Sequence, residues 1–456
     1  MAAPTTPRPV APTRSGGALR SVPSPAAPHR RGLSSRGLAG FVDDLLGDRL
    51  PVRIEFADGS AVGPSADEAP ATVHVRSDDA LRRIVSSPGE LGFARAYVCG
   101  DLEVEGDIYA VIGLRTRLPN PKLTPQQWVR AAKLLRPSDL RPLPPPPEEA
   151  HQRGRLHTRG RDARAISHHY DVSNRFYELV LGPAMTYSCA LWEAPDVGLE
   201  AAQAAKLELI CQKLALRPGM RLLDIGCGWG SMVRHAVRHH GVEAVGVTIS
   251  AEQAEWARHR AAVEGLDDRI EIRVQDYRDV RDGPFDAISS IGMFEHVGAA
   301  RLGEYFECVH SLLARQGRFL NHAIARPPGS NPGFARRSFV QRYVFPDGEL
   351  LEVGAVVSAM QSAGFEVRHV ENLREHYALT LRTWVRNLED HWDEAVAEVG
   401  ANRARVWRLY MAGSALGFEE GRISIDQVLG LRDPETAPFP LRPDWDASPH
   451  ALDLRG

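Results

Sequence analysis

The sequence predicts an α/β protein: a doubly wound, mostly parallel sheet with a small α+β domain ahead of it. Three observations carry this. From Ile166 onward the short apolar runs RLLDIG, AVGVTI, IEIRVQD, FDAISSIG and RFLNHAIA alternate with helical stretches, as strand–helix–strand units of a parallel sheet do. Before Leu114 the patterned segments are shorter and mix hairpin and helix signals. Between the two lies a proline-rich stretch, RPSDLRPLPPPPEEAHQRGR, which favours extended polyproline geometry over a packed element.

Taken in order, residues 1–37 are dominated by Pro, Ala, Ser and Arg, a composition that cannot bury enough apolar surface to offset chain entropy, and they are expected to form a disordered tail. The arginines without acids leave room for a transit peptide, but no uninterrupted apolar run makes a secretory signal. In the domain at 38–116, GFVDDLLGDRL reads as a helix, and VRIEFADGSAVG as a strand, an Asp-Gly turn and a second strand. ATVHV follows as a strand, ALRRIVSS as a helix, and GDLEVEGD as a pair of tight turns with solvated carboxylates. Residues 117–160 form a basic linker with a short helix. Its Lys122, Arg130, Lys133, Arg136, Arg141, Arg153, Arg155 and Arg159, continued by Arg161 and Arg164, suit either solvent or an anionic membrane surface. The main domain runs over 161–435, and 436–456 is a C-terminal tail.

Composition bounds the function. A chain of 456 residues with 43% apolar content has enough material for two domains with a sizeable core. A formal charge of −3 with mixed signs does not suggest nucleic acid, and no apolar run reaches the length of a membrane span. The five cysteines are scattered without metal-type spacing, which fits free thiols in a reducing cytoplasm.

The chemistry starts at LLDIGCGWGS, residues 222–231, where the first strand of the sheet should end and the helix SMVRHAVRHH begin. Glycines there allow tight backbone angles and let the main chain approach a ligand. A dinucleotide fingerprint would need its third glycine or alanine where Ser231 stands, and an acid at the end of the second strand, where Thr248 to Ser250 stand. A nicotinamide enzyme is therefore a poor fit. The order Asp224, Gly226, Gly228, Gly230 instead resembles motif I of class I S-adenosylmethionine methyltransferases, and Asp276 occupies the place where that class often reads the adenine.

Further segments narrow the resemblance. HHYDVSNRFYELVLGPAMTYSCALW (168–192), GVTISAEQ, GMFEHVG, YVFPDGEL, HYALTLRTW and VWRLYMAGSALGF resemble, in order, stretches of the cyclopropane-fatty-acyl-phospholipid synthases and their mycolic-acid relatives. The likeness covers about residues 160–430 and, more loosely, the N-terminal domain. It implies a Rossmann-like methyltransferase sheet, with S-adenosylmethionine contacted by Tyr187, Ser188, Asp224, Gly226, Gly228, Gly230, Thr248, Ser250, Gln253 and Asp276. It also implies a bound bicarbonate serving as base, held by Cys189, Glu295, His322, Ile324 and Tyr377. No metal is implied. The implied substrate is an unsaturated phospholipid at the cytoplasmic membrane face, the expected location is peripheral, and a homodimer is among the assemblies this allows.

The chemistry accounts for such residues. An isolated alkene is a feeble nucleophile, so its methylation needs aligned placement, which supplies about 7–11 kcal/mol. The resulting cation must be kept from water while one base takes a proton so that the ring closes. Each residue also has a plain reading: Cys189, His322 and Ile324 as core, Glu295 as a helix cap, Tyr377 as a helix anchor. Of the aromatic residues in these segments, Tyr170, Phe176, Tyr177, Tyr343, Trp384, Trp407 and Tyr410, most should be core and some should line the acyl tunnel. Lid helices are expected near 160–180 and 330–345. The alternatives are a methyl- or methylene-branched product from the same cation, methylation of a small metabolite, or a membrane-binding module on an inactive fold.

Overall fold

The computed structural model describes residues 35–117, 124–134, 141–150, 172–330, 338–346, 348–433, 439, 440, 443 and 445. Outside them lie the expected tail up to residue 34, His168 to Asp171 of the first matched segment, Lys122, Arg136 and Arg153 to Arg164 of the basic cluster, 331–337 of the second expected lid, and most of the C-terminal tail. The described residues divide into two compact units, one within 1–78 and 102–136 and the other within 79–101 and 137–456.

In the smaller unit four strands run in the order β2-β1-β3-β4: β1 Arg53–Phe56, β2 Ala61–Val62, β3 Ala71–Val75 and β4 Leu102–Gly106. The hairpin β1-β2 closes through Asp58 and Gly59, where Gly59 takes φ +83° and the Phe56 amide donates to the Ser60 carbonyl at 2.9 Å. The expected pair of turns at GDLEVEGD is corrected by the structure. Its centre is strand β4, antiparallel to β3 with Val73 opposite Val104. Alternation of Leu102 and Val104 with Glu103 and Glu105 buries the apolar pair and leaves the carboxylates outward, on Arg76 at 2.9 Å and His74 at 3.0 Å.

The larger unit holds a seven-stranded sheet in the order β10-β11-β9-β8-β5-β6-β7. The strands are β5 Arg221–Ile225, β6 Glu243–Thr248, β7 Ile270–Val274, β8 Phe285–Ile291, β9 Leu313–Ala325, β10 Phe365–Asn372 and β11 Ser424–Arg432. Strands β7, β6, β5, β8 and β9 are mutually parallel, while β11 runs antiparallel between β9 and β10. The last two strands were not among the runs read from the sequence; they follow and flank helices, and β10 mixes buried with half-exposed polar residues.

Successive residues of a strand point to opposite faces, so both faces of β5 are buried. Leu222 packs with Ile210, Leu214, Val233 and Ala257 of the helices Leu199–Leu214, Ser231–His240 and Ala251–Val263. Leu223 and Ile225 pack with Phe306 and Met360 of the helices Leu302–Leu312 and Val353–Ser362. The chain turns one way from β5 through β6 to β7 and the other way into β8 and β9. The carboxyl end of β5 is thus the switch point at which such sheets open a crevice for ligands.

Residues 141–150 are not wholly solvated. Glu149 is buried and receives both a 2.8 Å and a 2.9 Å hydrogen bond from the Arg95 guanidinium. Among the described residues no helix is long and apolar enough to cross a membrane. The five cysteines are free.

Candidate active site

A cavity opens at this switch point, walled by the ends of four strands. β5 contributes Asp224 to Gly226, β6 Val247 and Thr248, the turn after β7 Gln275 to Arg278, and β8 with its following turn Ile291 to Met293. Met185 to Ser188 and Lys206 close another side. The glycine turn shapes the floor. Gly226 has φ +80°, and a Cβ on it would stand 2.7 Å from Met293 Cβ; Gly228 has φ +53° and open space in front of it. The Gly226 and Cys227 amides both donate to the Val247 carbonyl, at 2.9 and 3.0 Å, which ties the turn to the end of β6.

Eight of the ten expected cofactor contacts, Tyr187, Ser188, Asp224, Gly226, Gly228, Thr248, Gln253 and Asp276, line this one cavity. Gly230 and Ser250 stand outside its wall, and each has a backbone task. Gly230, at φ +76°, begins the helix Ser231–His240 with a Cβ position 3.1 Å from Ala257, too close for a larger residue. Ser250 caps the helix Ala251–Val263 by accepting from the Gln253 amide at 3.3 Å. Thr248 Oγ1 donates to Gln253 Oε1 at 3.1 Å, orienting that amide group. Asp276 caps the turn after β7 and pairs with Arg278 at 2.6 Å.

The electrostatics of the wall come from two buried charges. Asp224 accepts from Ser289 Oγ at 2.7 Å, and burial still pushes its carboxyl up to about 6. Burial lowers the Lys206 ammonium to about 8, against the raising influence of Cys189 and Asp224; its Nζ donates to Ser188 Oγ at 3.0 Å. Lys206 was missed in the sequence, where it is one cation in an alanine-rich helix.

None of the five residues expected to hold an anion lines this cavity; contacts that run through Leu373 and Ile425 connect four of them, and of these Glu295 and Ile324 touch directly. Cys189, next to the wall residue Ser188, directs its thiol to the carbonyls of Ala190 at 3.2 Å and Leu373 at 3.7 Å. The Leu373 carbonyl also accepts from the Tyr377 amide at 3.1 Å, in the first turn of the helix Arg374–Asp390. The Leu373 amide donates to the Ile425 carbonyl on β11 at 2.9 Å, and Ile425 stands opposite Ile324. The Ile324 amide in turn donates to Glu295 Oε1 at 2.7 Å. His322, two residues from Ile324 and therefore on the same face of β9, feels the charge of Lys206, as Cys189 does.

Four of the five are buried: Cys189 and His322 are 0% exposed, Tyr377 6% and Glu295 8%. Burial raises the Cys189 thiol and the Glu295 carboxyl, and holds His322 well below its usual range with help from Lys206 and Lys213. Within this group of five, Glu295 Oε2 and His322 Nε2 are buried polar atoms without a hydrogen-bond partner in the protein. Such atoms are costly unless a ligand satisfies them. Aromatic rings seal the surroundings: Tyr187 stacks on Trp384 at 5.3 Å, Tyr377 meets Trp384 edge-on at 6.0 Å, and Tyr177 packs on Trp229 at 4.6 Å. Of the aromatic residues singled out in the sequence, Phe176, Tyr177, Tyr343, Trp384, Trp407 and Tyr410 are buried, and Tyr170 lies outside the described residues.

Comparison with known proteins places this architecture. The sequence model for mycolic acid cyclopropane synthetase matches residues 157–428. A probable fatty acid methyltransferase of Mycobacterium tuberculosis is 45% identical over 408 residues, covering 87% of this chain and 95% of the relative. The cyclopropane-fatty-acyl-phospholipid synthase of Escherichia coli K12 is 33% identical over 372 residues, 80% of this chain and 89% of that one. A crystal structure of mycolic acid cyclopropane synthase in complex with SAH and CTAB superposes with a TM-score of 0.56 at 33% identity, covering 59% of this chain and 98% of that one. The sheet order, the glycine turn at its switch point and these matches agree: the chain belongs to the mycolic acid cyclopropane synthetase family of S-adenosylmethionine-dependent methyltransferases.

Proposed function

We propose that this protein transfers a methylene group from S-adenosylmethionine to the cis double bond of an unsaturated phospholipid acyl chain, giving a cyclopropane ring, at the cytoplasmic face of a membrane. The single observation that carries the reading is the pair of unsatisfied polar atoms, Glu295 Oε2 and His322 Nε2, buried behind the cofactor cavity. A chain that only methylated a soluble metabolite would have little use for two such unpartnered polar atoms buried among apolar and aromatic side chains.

Bound S-adenosylmethionine supplies an electrophilic methyl group, and the wall from Tyr187 to Ser188, with the glycine turn and Asp276, is positioned to hold it. The donor set behind the wall fits a small oxyanion: a neutral histidine, a buried carboxyl and two buried lysines nearby. Bicarbonate bound there would supply the proton acceptor that ring closure requires. The Ile324 amide is engaged by Glu295, so His322 and Glu295 are the principal holders and the Ile324 backbone orients Glu295. Cys189, its thiol raised by burial, stays protonated and acts as a weak donor rather than a nucleophile. Tyr187, Trp384 and Trp407 exclude water, and their ring faces stabilise nearby positive charge by about 0.5–2 kcal/mol each.

A second reading has its own support. The relative at 45% identity carries the name of a fatty acid methyltransferase, which favours a branched chain made from the same cation: an unsaturated methyl branch by loss of a chain proton, or a methylene branch by a hydride shift and loss of a methyl proton. One experiment separates the two. The protein is incubated with labelled S-adenosylmethionine and liposomes of mono-unsaturated phospholipid, and the acyl products are examined by NMR. Upfield ring protons support cyclopropanation, vinylidene or branched-methyl signals support the second reading, and label absent from the lipid overturns both.

A further inference from the structure

We propose that Gln427, oriented by Lys213, fixes His322 as the tautomer with its proton on Nε2, so that this histidine presents a hydrogen-bond donor to the ligand of the buried site. The inference deepens the reading of that site and rests on it. It assigns positioning roles to two residues that touch neither cofactor cavity nor reacting atoms.

The geometry follows from the sheet. β9 and β11 are antiparallel with Gln427 directly opposite His322, so the two side chains leave the same face of neighbouring strands. Gln427 Nε2 and His322 Nδ1 lie 3.0 Å apart. On the other side of the amide, Lys213 Nζ donates to Gln427 Oε1 at 2.7 Å, and Lys213 also pairs with Glu371. An ammonium has three donors and no acceptor, so only the amide oxygen can face it. That orientation turns the amide NH2 towards His322. The imidazole nitrogen it meets must then be an acceptor, because two donors at this distance would repel. Nδ1 is therefore bare, and the proton sits on Nε2. The imidazolium form is excluded by the same contact, since it would place a second N–H against the amide. All three side chains are at most 1% exposed, so no solvent offers the amide another partner. His322 Nε2, the donor so created, is buried and has no hydrogen-bond partner within the protein. Holding a ring in the wrong tautomer while leaving its position intact has cost a catalytic histidine about 10⁴ in turnover elsewhere.

The test uses the full chain labelled with ¹⁵N-histidine, with His322 assigned by difference against His322→Gln. Long-range ¹H–¹⁵N correlations in the absence of cofactor and lipid should show a protonated Nε2 and a bare Nδ1. In Gln427→Glu a carboxylate replaces the amide, one oxygen staying on Lys213 and the other accepting from the ring, so the proton should move to Nδ1. Turnover should fall about 100-fold or more with cofactor affinity unchanged, a split that mere loosening of the fold would not give. A wild-type ring with its proton on Nδ1, a charged ring, or full turnover in a Gln427→Glu protein whose tautomer has switched would each overturn the proposal. The wild-type spectrum decides even if the variant fails to fold. Failure of the anion site itself is a different result, read as full activity in Glu295→Gln with the wild-type tautomer as expected.

Discussion

Glu295 accepts a 2.7 Å hydrogen bond from the Ile324 amide on one carboxylate oxygen, while its other oxygen is buried without a protein partner. The first contact fixes the direction of the group and the second atom is left for a ligand. Glu295→Gln keeps the shape and loses the carboxyl's proton-holding capacity. Turnover should drop about 10²–10⁴-fold, the usual worth of a positioned acid or base. Cofactor affinity, measured by calorimetry, should persist, because Glu295 is not in the wall of the cofactor cavity.

The glycine turn separates a clash within the protein from intrusion on the ligand. Gly226→Ala combines φ +80° with a Cβ 2.7 Å from Met293 Cβ, so it should both lose cofactor binding and lower stability by about 1–2 kcal/mol or more. Gly228→Ala carries left-handed backbone strain too, at φ +53°, but with nothing within 4 Å its new methyl group meets no protein atom and intrudes on the ligand's space. Denaturant titrations should rank Gly226→Ala as the less stable, with both variants impaired in cofactor binding. The reverse order would mean that the turn relaxes around Met293.

These residues also mark how far the sequence could be read. The turn was legible because glycine adopts its left-handed backbone angles at least cost, and the parallel strands because short, mostly apolar runs alternate with helical stretches. Glu295, His322 and Ile324 could be singled out only by resemblance, since on local pattern NHAI is plain core. Gln427 and Lys213 gave no signal at all: the contacts that define them span 105 and 214 residues of sequence. The error at Leu102–Gly106 is of another kind, because its period-two alternation was available and the flanking glycines were allowed to outweigh it.

Lys206 predicts an alkaline limb in cofactor binding. Its ammonium is buried in the cavity wall with Ser188 Oγ as acceptor, and S-adenosylmethionine brings a carboxylate. Lys206→Met should weaken binding about 10–100-fold, the value of a hydrogen bond to a charged group. With the ammonium lowered to about 8, the residue is charged below that pH and loses its charge above it, so wild-type affinity should decline as pH rises through about 8. Calorimetry across this range should find the decline missing in the variant.

His322 makes the protein sensitive to acid. Burial and the neighbouring lysines hold its folded-state value well below 6.5, whereas the unfolded chain exposes an ordinary imidazole. As pH falls past 6.5 the unfolded state binds the proton first, so the stability contributed by the neutral ring is complete above 6.5 and is lost progressively on acidification towards the folded-state value. The slope for one such group is about 1.4 kcal/mol per pH unit. His235, His310 and His376 are shifted the same way by burial, so the wild type should show a steeper fall than one residue gives. His322→Gln removes one proton from the linkage and keeps a polar group opposite Gln427. Urea unfolding of both proteins at neutral pH and one unit below 6.5 should show the variant losing about 1 kcal/mol less than the wild type. Equal losses would mean that His322 already carries its proton in the folded protein, which the contact with the Gln427 amide does not permit.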